Sequence, residues 1–595
     1  MPVPSRTNIY PIYSPARGVV LNAPAPYLDP RASPDAQNVR YYDQLVAKRT
    51  GYPSTTYASG TITGTPLNFY TYTEDGTDYE ILATTTNLYY NNSGAWTSLF
   101  SDLSGDVDER LSMCTMYNSG TFYLLYSNSP QGDGLFKWDG TTFTHIVEHL
   151  VSTGWTSTGW TGSWAAGWTH TTGNTTALSQ STAASNTTGY QVLFEITGRT
   201  AGSLAMTFGG KTYPVAITSG DIWSFTTSST ASLVITPTSD FDGKIKIIIT
   251  PSATAYCPKI VLPYQFRLLI FNYDSLPIGF RYTVANPTNI ATDWTGTGSG
   301  ARNMIQGQGS SIMNAVAIKD YVGVYKDKSI SVLDYVGGSS IFSTAVHIEG
   351  TGLLAQDAIV NLGTSHIFLG SDYNIYEWNG GWELIPIGNA IKKYIKDNIY
   401  KTNKLRCFAT ANFERTEAHF FIPIGTDDYP TRFLTYNWTD KTWAINTCAS
   451  CSGGGNLNTD GVEKTMLGLS AGTVHNYDYS SLNDGSTAIN SYFITSDATV
   501  DKAEYKIKMK DFKNVYVDAK GNNLGMQYST NEGSTWSDVD TDALDSTTIY
   551  NLHAFNYAQA ARNIRFKFAN STASESYAVR FVGIEHKDIK QSGRK

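Results

Sequence analysis

Charge is scarce in this chain. Only 16% of its 595 residues are Asp, Glu, Lys or Arg, and the formal net charge is −8. A dedicated nucleic-acid binder normally carries a basic patch, and this balance argues against one. Cysteine is scarce too: there are five, an odd number, scattered from Cys114 to Cys451. No disulfide framework is expected, which fits folding in a reducing cytosol. No stretch approaches the ~18–20 uninterrupted apolar residues of a membrane span. Residues 1–6 lack the apolar core of a signal peptide. The expectation is a soluble protein that is not exported by the signal-peptide route.

Catalytic signatures are poor as well. The sequence has no phosphate loop of the Gly-x-x-x-x-Gly-Lys type. Cys448 and Cys451 have thioredoxin-like or half-zinc spacing, but no second pair accompanies them and their surroundings are rich in Ser and Gly. They read as ordinary loop cysteines. Asp427-Asp428 and Asp106 with Asp108 offer the residue types of a glycosidase, yet acidic pairs in loops are usually solvated turn formers. The expectation is a non-enzyme, with no catalytic, cofactor-binding or metal-binding residue.

What the chain has in abundance is Tyr (39), Trp (13) and Gly (52), with many Thr and Ser. Aromatic and β-branched residues favour strands, and Gly, Asn and Asp punctuate them. Four segments repeat one theme of apolar-aromatic strand, tight turn and aromatic. They begin at Leu88, Leu135, Ile375 and Leu434 and reach Trp96, Phe143, Trp382 and Trp443. Asp-Gly and Asn-Gly supply the positive φ angles of two-residue hairpin turns. Tyr89 and Phe136 lie 47 residues apart. Setting aside a compositionally distinct block at 155–251, the gap from Phe136 to Tyr376 holds about three periods of roughly 48 residues. Hidden hairpins are then predicted near 281 and 328, where Ile278–Tyr282 and Ser329–Tyr335 sit, and one more at Val474–Tyr479. About seven hairpins at the period of a four-stranded blade predict an all-β β-propeller of six or seven blades.

The chain divides into five parts. Residues 1–55 form an extended Pro-rich strap, too apolar at Ile9, Tyr10, Ile12, Tyr13 and Val19–Leu21 for a free tail. Residues 56–154 are the first part of the propeller, and 155–252 an inserted sandwich or jelly roll, poor in charge and alternating in 192–197 and 233–237. Residues 253–500 continue the propeller, and 501–595 form a C-terminal β region resembling a second sandwich. A single helix is predicted within 387–399, with Ile391, Tyr394, Ile395 and Ile399 on one face. Trp155, Trp160, Trp164 and Trp168 in the insert are candidate carbohydrate contacts, against the simpler role of packing the insert's own core. The lysine-rich segment 587–595 reads as a solvated terminus.

The run Pro34–Arg40, followed by Lys48–Tyr52, resembles the opening of propeller-type tail hub or nozzle proteins of short-tailed bacteriophages, also known as packaged-DNA stabilisation proteins. The inter-blade helix, the Tyr528–Trp536 segment and the terminal Gly593-Arg594 are similar to that group, and the insert resembles a jelly-roll module of phage structural proteins. The resemblance implies a homo-hexameric ring below the portal and adaptor. It implies contacts with tail fibres or spikes, a central channel for double-stranded DNA without specific binding, and a location in the virion after assembly in the host cytoplasm. The strap would cross to a neighbouring subunit or to the ring above. A mildly acidic conduit suits such passage, since lysines and arginines would hold phosphates electrostatically. The alternative is a carbohydrate-binding or carbohydrate-cleaving propeller at a virion or cell surface, which an axial pocket of carboxylates and aromatics would favour.

Overall fold

The computed structural model describes residues 8–589, other than 102, 104, 119, 129–133, 142, 147–149, 151–153, 165–166, 252–255, 288–289, 291–292 and 498–508. Pro2, Pro4 and Gly593-Arg594 lie outside the described residues, as does most of the lysine-rich terminus. Seven antiparallel sheets follow one another along the chain: blades 1 (66–100), 2 (112–145), 3 (258–303), 4 (312–349), 5 (359–386), 6 (408–447) and 7 (451–476). The first six have four strands and the seventh has three. The first strands of successive blades lie side by side and define the axis of a β-propeller.

The recurrent aromatic hairpins are the third strands of these blades, from Leu88–Asn92 in blade 1 to Val474–Asn476 in blade 7. Their turns take positive φ, at Ser93 (54°) and Gly94 (93°) in blade 1 and at Gly380 (88°) in blade 5. Their aromatics build the core between blades. Trp138 of blade 2 meets Tyr79 and Tyr90 of blade 1 at 5.0 and 5.4 Å, and Trp378 of blade 5 stands edge-on to Tyr325 of blade 4 at 5.7 Å. Such contacts add about 0.5–1.5 kcal/mol each beyond area burial.

Ring closure joins blade 7 to blade 1 without a shared strand. Cys451–Thr459, the innermost strand of blade 7, lies against Pro66–Glu74 of blade 1. Its Gly453 permits this approach, because a Cβ there would stand 1.9 Å from the Leu67 carbonyl oxygen. The Ser452 hydroxyl donates to the Pro66 carbonyl at 2.7 Å. Farther out, Lys464 of blade 7 pairs with Glu80 of blade 1 at 2.6 Å, and the Tyr57 hydroxyl bonds to both. Tyr57 also donates its amide to Val474, while Ser59 accepts from the Trp96 amide. The segment before blade 1 thus staples the last blade to the first.

Within the described residues the strap is built into its own chain. Asn8–Tyr13 pairs antiparallel with Tyr577–Asp588, as does the hairpin Val39–Tyr42/Leu45–Lys48 at the same edge, and Ala36–Gln37 pairs with Ser491–Ile494. Pro11 is accommodated because its strand lies at an edge. Two C-terminal sheets, one of seven strands and one of five, share a core that includes Phe493, Val517, Phe566, Phe568 and Val579. Four N-terminal strands complete this sandwich, so it is not made from the C-terminal segment alone. An N-terminal truncation would therefore remove part of a core, Ile12 and Val19 among it.

The run 34–52 is the clasp between sandwich and blade 6. Asn38, at φ 58°, accepts from the Thr447 amide (2.8 Å) and from Arg49 Nε (2.9 Å). Arg40 forms a buried ion pair with Glu417 at 2.7 Å. Arg49, 1% exposed, grips both carboxylate oxygens of Asp484 and donates to the Thr447 carbonyl.

The insert is a sandwich of two five-stranded antiparallel sheets over 155–251. Leu204, Met206 and Phe208 alternate inward from one sheet, and Ile245, Ile247 and Ile249 from the other. The helix is shorter than the sequence pattern suggests. It spans Lys392–Asn398, with Ile391 and Ile399 as caps and Ile395 buried. Ile385–Pro386 is the last strand of blade 5, and Gly388 is pressed against Ile375, so the preceding residues are held in the blade.

Two outcomes follow. Gly453→Ala is expected to lower stability by about 1–3 kcal/mol, read from denaturant midpoints, because the added carbon meets backbone. His366 is buried between blades 4 and 5, bonded to the Tyr325 hydroxyl at 2.7 Å and the Ala317 carbonyl at 3.0 Å, and burial pulls its pKa from 6.5 down to about 4. The folded state therefore favours neutral His366. That contribution is present above pH 6.5 and is lost as pH falls to about 4, on the order of 3 kcal/mol. Equilibrium unfolding of His366→Gln should show a shallower acid loss than wild type over that window.

Candidate functional site

The first strands of blades 1 to 4 and the residues leading into blade 5 flank an open axial cavity of about 330 Å³, lined among others by Asn68, Tyr70, Cys114, Asn314, Gln356 and Asp357. A polar network stands beside it. Asn68 Nδ2 donates to Asp357 Oδ2 at 2.9 Å, linking blade 1 to the start of blade 5. Arg110 Nε lies 3.9 Å from the same carboxylate. The Arg110 side chain is 1% exposed. It donates to the Ser452 and Arg406 carbonyls, each at 2.8 Å, and its guanidinium sits 5.4 Å over the Phe408 ring. Arg406 in turn holds Asp108 at 2.7 Å. Together these contacts tie blades 1, 2, 5, 6 and 7 across the axis.

Burial sets the electrostatics. It raises the Asp357 pKa, against the opposing pull of Arg110, Asn68 and Lys259. It lowers those of Arg110 and Lys259, in spite of nearby carboxylates that favour their charge. Asn68 Oδ1 and Gln356 Oε1 are buried without a hydrogen-bond partner. Asp357 is the one carboxylate among the described residues that line the cavity. Glycoside hydrolysis ordinarily needs two, set about 5–9.5 Å apart, so this arrangement suits binding rather than cleavage.

The four tryptophans of the insert are not gathered into one exposed platform. Trp160 is 5% exposed within the insert core, its Nε1 bonded to the Thr176 carbonyl at 3.0 Å. Trp155, Trp164 and Trp168 are half-buried against that core, and Trp155 meets Trp168 tilted by 40°. The acidic pairs act as loop builders: Asp106 accepts from the Asp108 amide, Asp427 from the Thr431 hydroxyl, and Arg406 holds both Asp108 and Asp428. Cys448 and Cys451 are free thiols at the link from blade 6 to blade 7; a hydrogen bond to Cys448, together with burial, pushes the Cys451 thiol up. Sequence reading missed Arg110, Asp357, Asn68 and Gln356. Each is isolated among ordinary loop and strand residues, and only the ring brings them together.

No family model matches the chain, and no curated protein does. Among solved structures it is similar to PorZ, a surface component of the type-IX secretion system of Porphyromonas gingivalis, at 9% identity and TM-score 0.30, over 81% of this chain and 46% of that one. The chain therefore spans about half the length of that protein. It is also similar to an exo-β-1,3-galactanase from Phanerochaete chrysosporium, at 9% identity and TM-score 0.18 over 83% and 97% of the two chains. A third likeness is the extracellular domain of a hybrid two-component system from B. thetaiotaomicron, at 10% identity and TM-score 0.23 over 86% and 98%.

Arg110→Met is expected to cost about 2–4 kcal/mol, because it orphans two carbonyls and removes the stronger of the two cations that act on Asp357. Arg110→Met combined with Asp357→Leu should recover part of that loss in denaturant titrations, which a purely steric role of Arg110 would not produce.

Proposed function

We propose that this chain is a structural component of a bacteriophage tail, a hub or nozzle subunit that acts in a ring of six below the portal and adaptor. The observation that carries this reading is the sequence run 34–52. It resembles the opening of such proteins, and here it forms the buried clasp of Asn38, Arg40 and Arg49 that fixes the terminal sandwich to the propeller. The order of strap, two blades, jelly-roll insert, five blades and terminal sandwich supports it further. A DNA passage would have to lie between copies. Each propeller axis is crossed by Arg110 and its partners, and its cavity of about 330 Å³ is far too small for a duplex. Antibodies raised against the purified chain should decorate one pole of tailed particles, with six copies per particle by quantitative mass spectrometry. Particles that lack the chain would overturn the reading.

A second reading, a carbohydrate-binding propeller, is favoured by one observation: the axial pocket is lined by the polar residues Asn68, Asn314, Gln356 and Asp357 together with Phe69 and Tyr70.

A further inference from the structure

We propose that Cys448 and Cys451 form a site of thiol–disulfide exchange, at which a small-molecule disulfide of the glutathione type closes the pair into an internal disulfide. The site stands apart from both readings above and holds or fails without them.

The link from blade 6 to blade 7 puts the two thiols together. It bends at Ala449, and Ala449 and Ser450 are exposed. Its ends are held on one loop: the Cys448 amide donates to the Thr431 carbonyl at 3.0 Å and the Cys451 amide to the Pro430 carbonyl at 2.9 Å. Cys448 packs against a cluster that contains Phe421, Phe433, Leu467 and Cys451, and the two thiols share a hydrogen bond. A disulfide needs its Cα atoms about 4.4–6.8 Å apart, a span within reach of a short bent link whose thiols already touch. Closure gives up one long contact, from Cys448 Sγ to the Pro430 carbonyl at 3.6 Å.

Burial divides the roles. Cys448 is half-buried, whereas Cys451 has no exposed surface. The Cys448 thiolate attacks the small disulfide RSSR, forms the mixed disulfide Cys448–S–S–R and releases one RS⁻. The Cys451 thiolate then attacks Cys448 Sγ and expels the second RS⁻. The two thiol protons pass to these leaving groups, so RSSR takes up two electrons and becomes two RSH as the pair is oxidised. The hydrogen bond to Cys448, burial and Asp484 hold Cys451 as the thiol, against the Arg49 guanidinium. Cys451 therefore resolves the mixed disulfide and does not start the exchange.

Residues 442–464 form one tryptic peptide that contains both cysteines and no third. The reduced full chain is equilibrated in its native state with oxidised and reduced glutathione, then unfolded in alkylating agent and digested. With oxidised glutathione in excess the peptide should be unalkylated and two hydrogens lighter than the dithiol. With reduced glutathione in excess it should be doubly alkylated. In Cys451→Ser the reaction should stop at glutathione on Cys448, at an occupancy at least about tenfold above wild type. In Cys448→Ser the buried Cys451 should stay unmodified. A wild-type peptide that remains doubly alkylated in excess oxidised glutathione, or that keeps glutathione on Cys448, would overturn the proposal, and that measurement needs neither variant to fold. Glutathione added to Cys451 in Cys448→Ser as fast as to Cys448 in Cys451→Ser would overturn the order of attack.

Discussion

A propeller is only as stable as the seam where its last blade meets its first. In this chain the seam depends on backbone approach at Gly453, where blade 7 is pressed onto Leu67 of blade 1. No side chain could stand there, so the contact is made by main chain and by the Ser452 hydroxyl. Around that contact the Glu80–Lys464 pair and Tyr57 form a polar rivet. Arg110 reaches the same strand from across the axis through the Ser452 carbonyl. The ring, the axial cavity and the position of Asp357 all follow from a seam held at this distance.

A second constraint acts from outside the ring. Blade 7 has three strands, and the segment after it runs under Gly51 and Tyr52, which bridge to Asp478 and Asp484. The same N-terminal stretch carries the buried guanidinium groups of Arg40 and Arg49 onto the buried Glu417 of blade 6 and the half-buried Asp484 after blade 7. Burying such pairs is expensive, and their loss one partner at a time is more expensive still. They are well suited to fixing one arrangement of sandwich against propeller, with few alternatives of similar energy.

The repeat was legible because its cause is local. A third strand such as Leu135–Trp138, its turn at Gly140 and its returning aromatic Phe143 lie within nine residues, and their chemistry specifies a hairpin wherever they occur. The insert was legible because it interrupts that period. What could not be read depends on residues distant in sequence. Nothing near Asn8–Tyr13 announces that its partner is Phe581–His586, so an apolar arm looked like one seeking another subunit. Asn68 and Asp357 are 289 positions apart, and each resembles an ordinary polar residue at a strand end. The tryptophans of the insert misled for a related reason. Four aromatics in a short span suggest a platform, but strand alternation sends Trp160 inward and leaves the others propped against the core.

The pairing of Asn8–Tyr13 with Tyr577–Asp588 also has a consequence in time. A ribosome emits the first of these strands more than 560 residues before the last, an interval on the order of half a minute to two minutes at roughly 5–20 residues per second. Through that interval the blades can form in order, since each pairs within itself, but the leading arm has nothing to dock on and exposes an apolar edge to every other nascent chain on the same message. Early chains that find a neighbour's finished C-terminal strand before their own would exchange arms, a low-cost route to a linked pair. Chaperone retention of the leading arm, or slow translation of the final hundred residues, would then govern the yield of singly threaded molecules more than the stability of any blade.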